Sequence, residues 1–352
     1  MLLTEFRSPR SSANRRLCLP GRPSSRPRSS VDPLRLVRLS FVGFNLGQQK
    51  GDPVDKMIIE ASINESASKD DNPHIPYGPE EGARDGIACA KAGAAIIHYH
   101  ARSQQTGENE WDQSVETYLT CYRMIREECP DVIVYPTQRG YRLEDVPHVL
   151  ALADDPDEGL ELATVDVFPQ GGFTRNDSSV MVTLLRELQQ RGVAYSIGVR
   201  EIGHMRHIAH YRDIGLIGDT LILKIFWNEH AIGPTPGMRG LQMYLDEVPA
   251  GVRCQWFNTL YDGLPGGDTL RRTSMLAAAT GGHIRTGIGE NPLLDGRRGT
   301  NAYTNVDHVE MAVAMGELAG RGIATPDEAR AVLGMPSREV GKRLPGYQSS
   351  SR

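Results

Sequence analysis

The chain has 352 residues, five cysteines and a formal net charge of −5. That charge leaves no basic footprint, which argues against a nucleic-acid partner, and no apolar run approaches the ~18 residues of a membrane span. Cys18, Cys89, Cys121, Cys129 and Cys254 form no CxxC pair and are odd in number; a disulfide scaffold is therefore disfavoured, and a reduced, cytoplasmic enzyme is expected.

Residues 1–55 differ in composition from the rest of the chain. The first 50 hold nine arginines with many serines and prolines, and only Glu5 and Asp32 as acids. Such a segment cannot bury enough apolar surface to order itself. It has the composition of an organelle transit peptide, or it is an over-long start ahead of Met57; a disordered extension is expected in either case.

From Met57 onward, strand and helix alternate. Met57–Ile63 reads as an apolar strand. A helix follows over Gly78–Ala92, with Gly78 as cap, Pro79 at the tolerated first position and Glu80 and Glu81 complementing the dipole. Ala94–His100 is the second strand, and Asp112 caps a helix over Gln113–Glu127. Strand Asp131–Tyr135 precedes helix Pro147–Ala153, and strand Leu160–Val167 precedes helix Ser179–Arg191. The second half repeats the pattern: strand Val193–Val199 and helix His204–Asp213, strand Leu221–Phe226 and helix Arg239–Glu247, strand Val252–Asn258 and helix Thr269–Ala279, strand His283–Ile288 and helix Asn305–Ala319. Eight units over roughly 265 residues predict a (β/α)8 TIM barrel across residues 56–336. A capping box at Thr325–Glu328 opens one more helix, whose Ala329, Val332 and Leu333 are expected to close one end of the barrel. Residues 337–352 read as a flexible tail.

Chemistry in such a barrel belongs at the C-terminal ends of the strands. His98 and His100, two apart on the second strand, share a face and form half of a metal site that lacks a carboxylate. The bland alternative is a hydrogen-bonded histidine pair. Glu60 and Ser62 share one face of the first strand, with Glu65 at its rim as ligand, base or loop acid. Arg102 is either ion-paired or a substrate contact. Thr137 ends the third strand, and Thr164, Asp166 and Phe168 share a face of the fourth; a hydroxyl there either orients substrate or bonds to backbone. Glu201 ends the fifth strand. His204, His207 and His210 fit an ordinary amphipathic helix better than a metal site. On the eighth strand His283, Arg285 and Gly287 share a face, and a guanidinium inside a barrel needs a carboxylate or an anionic substrate. Glu290 at the rim offers the carboxylate that two histidines need.

The stretches AGAAIIHYHAR (Ala92–Arg102), GGHIRTGIGEN (Gly281–Asn291), NPHIPYGPEE (Asn72–Glu81) and ATPDEARAVLGM (Ala324–Met335) together resemble the β-keto acid cleavage enzyme family, over about residues 57–335. The resemblance implies a zinc-binding (β/α)8 barrel. Such an enzyme converts a β-keto acid and acetyl-CoA into acetoacetate and a new CoA ester by a retro-Claisen route. It implies His98 and His100 as zinc ligands, Arg285 as catalytic arginine, Thr164 as a substrate contact, and a homo-oligomer. The chain departs from the pattern in three places. The family's glutamate–aspartate pair after the last strand is Gly289-Glu290, so the ligand glutamate is a glycine. Pro136, beside Thr137, replaces a serine, and the family's strand-one glutamate falls at Ser66, beside Glu65. Glu290 is thus expected as third metal ligand or as catalytic base, with Glu65 or Glu201 taking the other role. Rival readings are a CoA-independent zinc lyase or aldolase, and a barrel that only binds a keto acid.

Overall fold

The structure, a computed structural model, describes residues 56–335 apart from 66, 109–114, 139, 156–158, 168–174, 231 and 262–267. The expected 1–55 extension and 337–352 tail, the Asp112 cap and Phe168 lie outside these residues. Eight parallel strands are present as expected: β1 (Ile59–Ser62), β2 (Ile96–Tyr99), β3 (Ile133–Pro136), β4 (Leu162–Asp166), β5 (Ala194–Val199), β6 (Thr220–Trp227), β7 (Arg253–Leu260) and β8 (His283–Thr286). Helices alternate with them: α1 (Gly78–Ala92), α2 (Val115–Glu128), α3 (Pro147–Asp154), α4 (Arg175–Gln190), α5 (Met205–Asp213), α6 (Met238–Asp246), α7 (Thr269–Thr280), α8 (Asn305–Leu318) and a last one, α9 (Pro326–Leu333). The ladder runs β3-β2-β1-β8-β7-β6-β5-β4, and β3 and β4 abut, giving a nearly closed TIM barrel.

Strand period decides what lies where. Ala61, Ile97, Tyr99, Val134, Val165, Ile197 and Ile225 belong to the apolar core, the shell between strands and helices. Alternate positions face the barrel interior, which here is polar and charged rather than filled with branched aliphatics: Glu60, Ser62, His98, Tyr135, Thr164, Lys224 and Arg285 are all buried. Register brings them together, with Ser62 opposite His98 and Glu60 opposite Arg285.

Local signals mostly act as read. In α9, Thr325 Oγ1 accepts from the Glu328 amide, Glu328 returns the bond to the Thr325 amide, and Pro326 opens the helix. Buried Ala329 and Leu333 seal the N-terminal end of the barrel. At the start of α1, Gly78 keeps a positive φ of 71°, outside the helical range, so Pro79 takes the first helical position as read. The Tyr77 amide donates to Glu81 Oε2 at 2.8 Å, so a first-turn carboxylate also ties down the entry to the helix. Among the described residues, no helix is long and apolar enough to cross a membrane.

Candidate metal centre and active site

β2 ends where its apolar run meets His98 and His100, so both imidazoles emerge at the C-terminal mouth of the barrel. The Asn64–Ala67 loop after β1 carries Glu65 up to them. His98 Nε2 lies 3.0 Å from Glu65 Oε1 and His100 Nε2 lies 2.8 Å from Glu65 Oε2. Among the described residues these three form a group able to hold a metal ion, with ligand atoms within 4.8 Å of one another. Two nitrogens and one carboxylate oxygen, all buried, are a donor set suited to zinc. Burial drives the His98 pKa down to about 3, so the imidazole is neutral and its lone pair free. Burial alone would raise Glu65, but His100, Arg285 and His98 outweigh it and hold the carboxylate ionised. Both protonation states are those a ligand needs.

The loop that carries Glu65 is fixed by Arg102. Its Nη1 donates to the carbonyls of Asn64 (2.6 Å), Glu65 (3.2 Å) and Ala67 (2.5 Å), and its Nε donates to Gly107 O at 2.6 Å. The guanidinium lies over the Tyr77 ring. Neither expectation for Arg102, ion pair or substrate contact, describes this carbonyl clamp. On the other side the loop packs against the segment that follows β8: a Cβ built on Gly289 would lie 2.5 Å from the Glu65 amide nitrogen. Only a glycine at 289 lets the loop come this close.

Glu290 stands outside the ligand group. Its Oε1 accepts from Arg285 Nε (2.9 Å) and Nη2 (2.7 Å), and its Oε2 accepts from Thr259 Oγ1 (2.7 Å). The carboxylate that lies against the two histidines is Glu65, from the loop after the first strand. Burial, aided by the Glu65 charge and opposed by Arg285 and Thr259, raises the Glu290 carboxyl to about 7. Arg285 is the centre of the site. It also donates to Glu65, to Ser62 Oγ (3.1 Å), to Glu60 Oε1 (2.9 Å) and to Tyr135 Oη (3.0 Å).

Thr164 faces the interior, and its Oγ1 has no hydrogen-bond partner among the described residues; the same holds for Asp166 Oδ1 and the Gln138 side chain. Thr137 is buried at the end of β3, with its carbonyl 2.7 Å from His148 Nε2. Glu201 is exposed and accepts from the Gly233 amide at 3.1 Å, so it ties down the loop after β6 rather than joining the site. His204 Nδ1 accepts from the Arg200 amide, and His207 and His210 follow on the surface helix α5.

Sequence reasoning passed over Lys224, Tyr135 and Asn305. Lys224 is a single lysine inside the apolar run LILKIFW, fully buried; such an interruption is itself a signal. Asn305 opens α8 and bonds to Ile63 O, to the Ile288 amide and to Asp85, joining the loops after β1 and β8.

A family model described as beta-keto acid cleavage enzyme matches residues 56–335. The 3-keto-5-aminohexanoate cleavage enzyme of Fusobacterium nucleatum is 30% identical over 288 residues, 80% of this chain and 99% of that one. The 3-oxoadipate:acetyl-CoA acetyltransferase of Cupriavidus necator is 26% identical, covering 82% of this chain and 98% of its own. Among solved structures, a ternary complex of ObcA with a C4-CoA adduct and oxalate superposes with a TM-score of 0.58 at 15% identity, covering 74% of this chain and 68% of that one, a likeness of fold.

Proposed function

Because the chain belongs to the β-keto acid cleavage enzyme family, we propose that it converts a β-keto acid and acetyl-CoA into acetoacetate and a new CoA ester at the mouth of its barrel, with zinc held by Glu65, His98 and His100. The observation that carries this reading is one guanidinium, Arg285, shared between Glu65, an ionised carboxylate facing the imidazoles of His98 and His100, and a second carboxylate, Glu290, raised toward neutrality. When bound there, zinc supplies Lewis-acid polarisation of the substrate's keto and carboxylate oxygens. The raised pKa suits Glu290 to take a proton from the carbon between the two carbonyls.

The resulting enolate carbon attacks the acetyl carbonyl and the thioester bond breaks, releasing CoA as thiolate. That thiolate adds to the original keto carbon, the neighbouring carbon–carbon bond breaks, and the proton held by Glu290 returns to the departing acetoacetate carbon. Arg285, buried between Glu65 and Glu290, stabilises the negative charge that develops in each step. Thr164, with its unpartnered hydroxyl on the inner face of β4, is assigned to a substrate oxygen, and Thr137 to the rim beside it.

The test is an assay of purified protein with a panel of β-keto acids. The expected result is CoA ester and acetoacetate in equal amounts, dependent on acetyl-CoA. Cleavage without acetyl-CoA would point instead to a lyase, and ligand-induced thermal shifts without turnover to a binding barrel.

A further inference from the structure

Beneath the site lies a second charged group that the reaction above does not use. Glu60 Oε1 accepts from Lys224 Nζ at 2.8 Å, from Arg285 Nη1 at 2.9 Å and from the Tyr135 hydroxyl. The same hydroxyl accepts from Lys224 Nζ and from Arg285 Nη1. Four side chains from β1, β3, β6 and β8 thus close one ring of hydrogen bonds across the barrel floor, each at most 3% exposed. The Tyr135 ring joins this ring to the ligand layer: it packs 4.6 Å from the His98 ring and 4.5 Å beneath Lys224 Nζ.

A fully buried ion pair is poor evidence for stability, since well-packed apolar residues would do as well or better. Its retention here has another explanation in the charge count. Arg285 alone would face three carboxylates, Glu60, Glu65 and Glu290. With Glu60 uncompensated, the guanidinium would be drawn to the floor and its charge neutralised there.

We propose that Lys224 and Glu60 are positioning residues for Arg285. Lys224 neutralises Glu60, while Glu60 and Tyr135 hold guanidinium nitrogen Nη1, so that Nε and Nη2 stay with Glu290, Glu65 and Ser62 and the positive charge stays beside the reacting groups. Neither residue touches substrate. This inference rests on the reading of Arg285 as the group that bears the anionic charge.

The full chain is compared with its K224M, E60Q and E60Q/K224M variants by thermal melting, zinc content, steady-state kinetics and calorimetric binding of acetoacetate. In K224M, kcat falls by about 100-fold, KM for acetyl-CoA stays within about twofold, and zinc content does not change. Acetoacetate binds about tenfold more weakly, a readout that needs no turnover. The double variant, which removes both charges together, recovers about tenfold of the lost kcat. If K224M fails to fold, the charge-balanced double variant carries the test, with kcat expected about tenfold below wild type. A lower melting temperature with kcat and acetoacetate affinity intact in the folded variants would overturn the proposal, and so would borohydride trapping of the keto acid on Lys224. A wild type that binds acetoacetate but turns over no keto acid would count against the reaction, while the binding comparison would still decide the role of Lys224.

Discussion

Two buried guanidiniums sit at opposite ends of this barrel and are treated in opposite ways. At the closed end, Arg330 of α9 meets one buried carboxylate in bidentate geometry: Nε and Nη2 donate to the two oxygens of Glu161 at 2.6 and 2.9 Å, and Nη2 also donates to Asp131 O. Asp327 completes the set at 3.0 Å. At the open end Arg285 is contested by three carboxylates, and buried polar atoms on β1 and β4, Glu60 Oε2 and Thr164 Oγ1, lack partners among the described residues. One arginine is satisfied and locks the bottom of the barrel. The other is oversubscribed, which is costly unless a further cation shares its carboxylates, as Lys224 does for Glu60 and as a metal ion would for Glu65.

The largest effect should come from breaking the satisfied pair. Arg330→Met leaves Glu161 buried without its bidentate partner, though with Arg126 still 3.9 Å away, at a cost of about 3 kcal/mol. The measurement is thermal or urea unfolding, with zinc content and kcat of the folded fraction unchanged. A drop in kcat with stability retained would mean that the two ends are not separable in this way. Arg285→Lys should do the reverse. It keeps the charge but loses the fork that spans Glu60 and Glu290, so kcat should fall by about 100-fold, ~2.7 kcal/mol of barrier, with little change in melting temperature.

Arg102→Met sharpens the contrast, because this arginine holds carbonyls rather than carboxylates. Loosening the Asn64–Ala67 loop should weaken zinc affinity by about tenfold while leaving the histidines in place, as read by competition with a chelator. The smallest effect is expected at Asp85, a half-buried acid bonded to an amide, Asn305. Burial raises its pKa from 3.8 to about 6. The fold therefore binds this proton more tightly than the unfolded chain, and the stabilisation is complete below about pH 4 and lost as pH rises through about 6. Asp85→Asn should then melt higher than wild type at pH 7.5 and no higher at pH 4. A gain that is the same at both pH values would remove burial of the charge as its cause.

Most of the architecture was legible because it depends on period and punctuation. Alternating apolar runs and capped helices place all eight strands, and the period of two puts His98 with His100 and Glu60 with Ser62 on one inner face. The third ligand was not settled, because no periodicity governs the loop after β1. Its course is fixed by contacts distant in sequence, Arg102 on three carbonyls and the close approach to Gly289, and these bring Glu65 rather than Glu290 to the histidines. Lys224 was hidden for another reason. One lysine in an apolar strand reads as an edge or an exception until the acid opposite it, Glu60 on β1, is known to lie across the barrel.

The proposed chemistry stands on a division of labour in which Glu65 holds the metal and Glu290 moves the proton. It is tested by the zinc content of the purified wild type, Glu65→Gln and Glu290→Gln proteins, each checked for native melting. About one zinc per chain is expected in the wild type and in Glu290→Gln, which should be inactive, with zinc lost in Glu65→Gln. Zinc retained in Glu65→Gln and lost in Glu290→Gln would contradict this assignment and return the ligand role to the loop after β8.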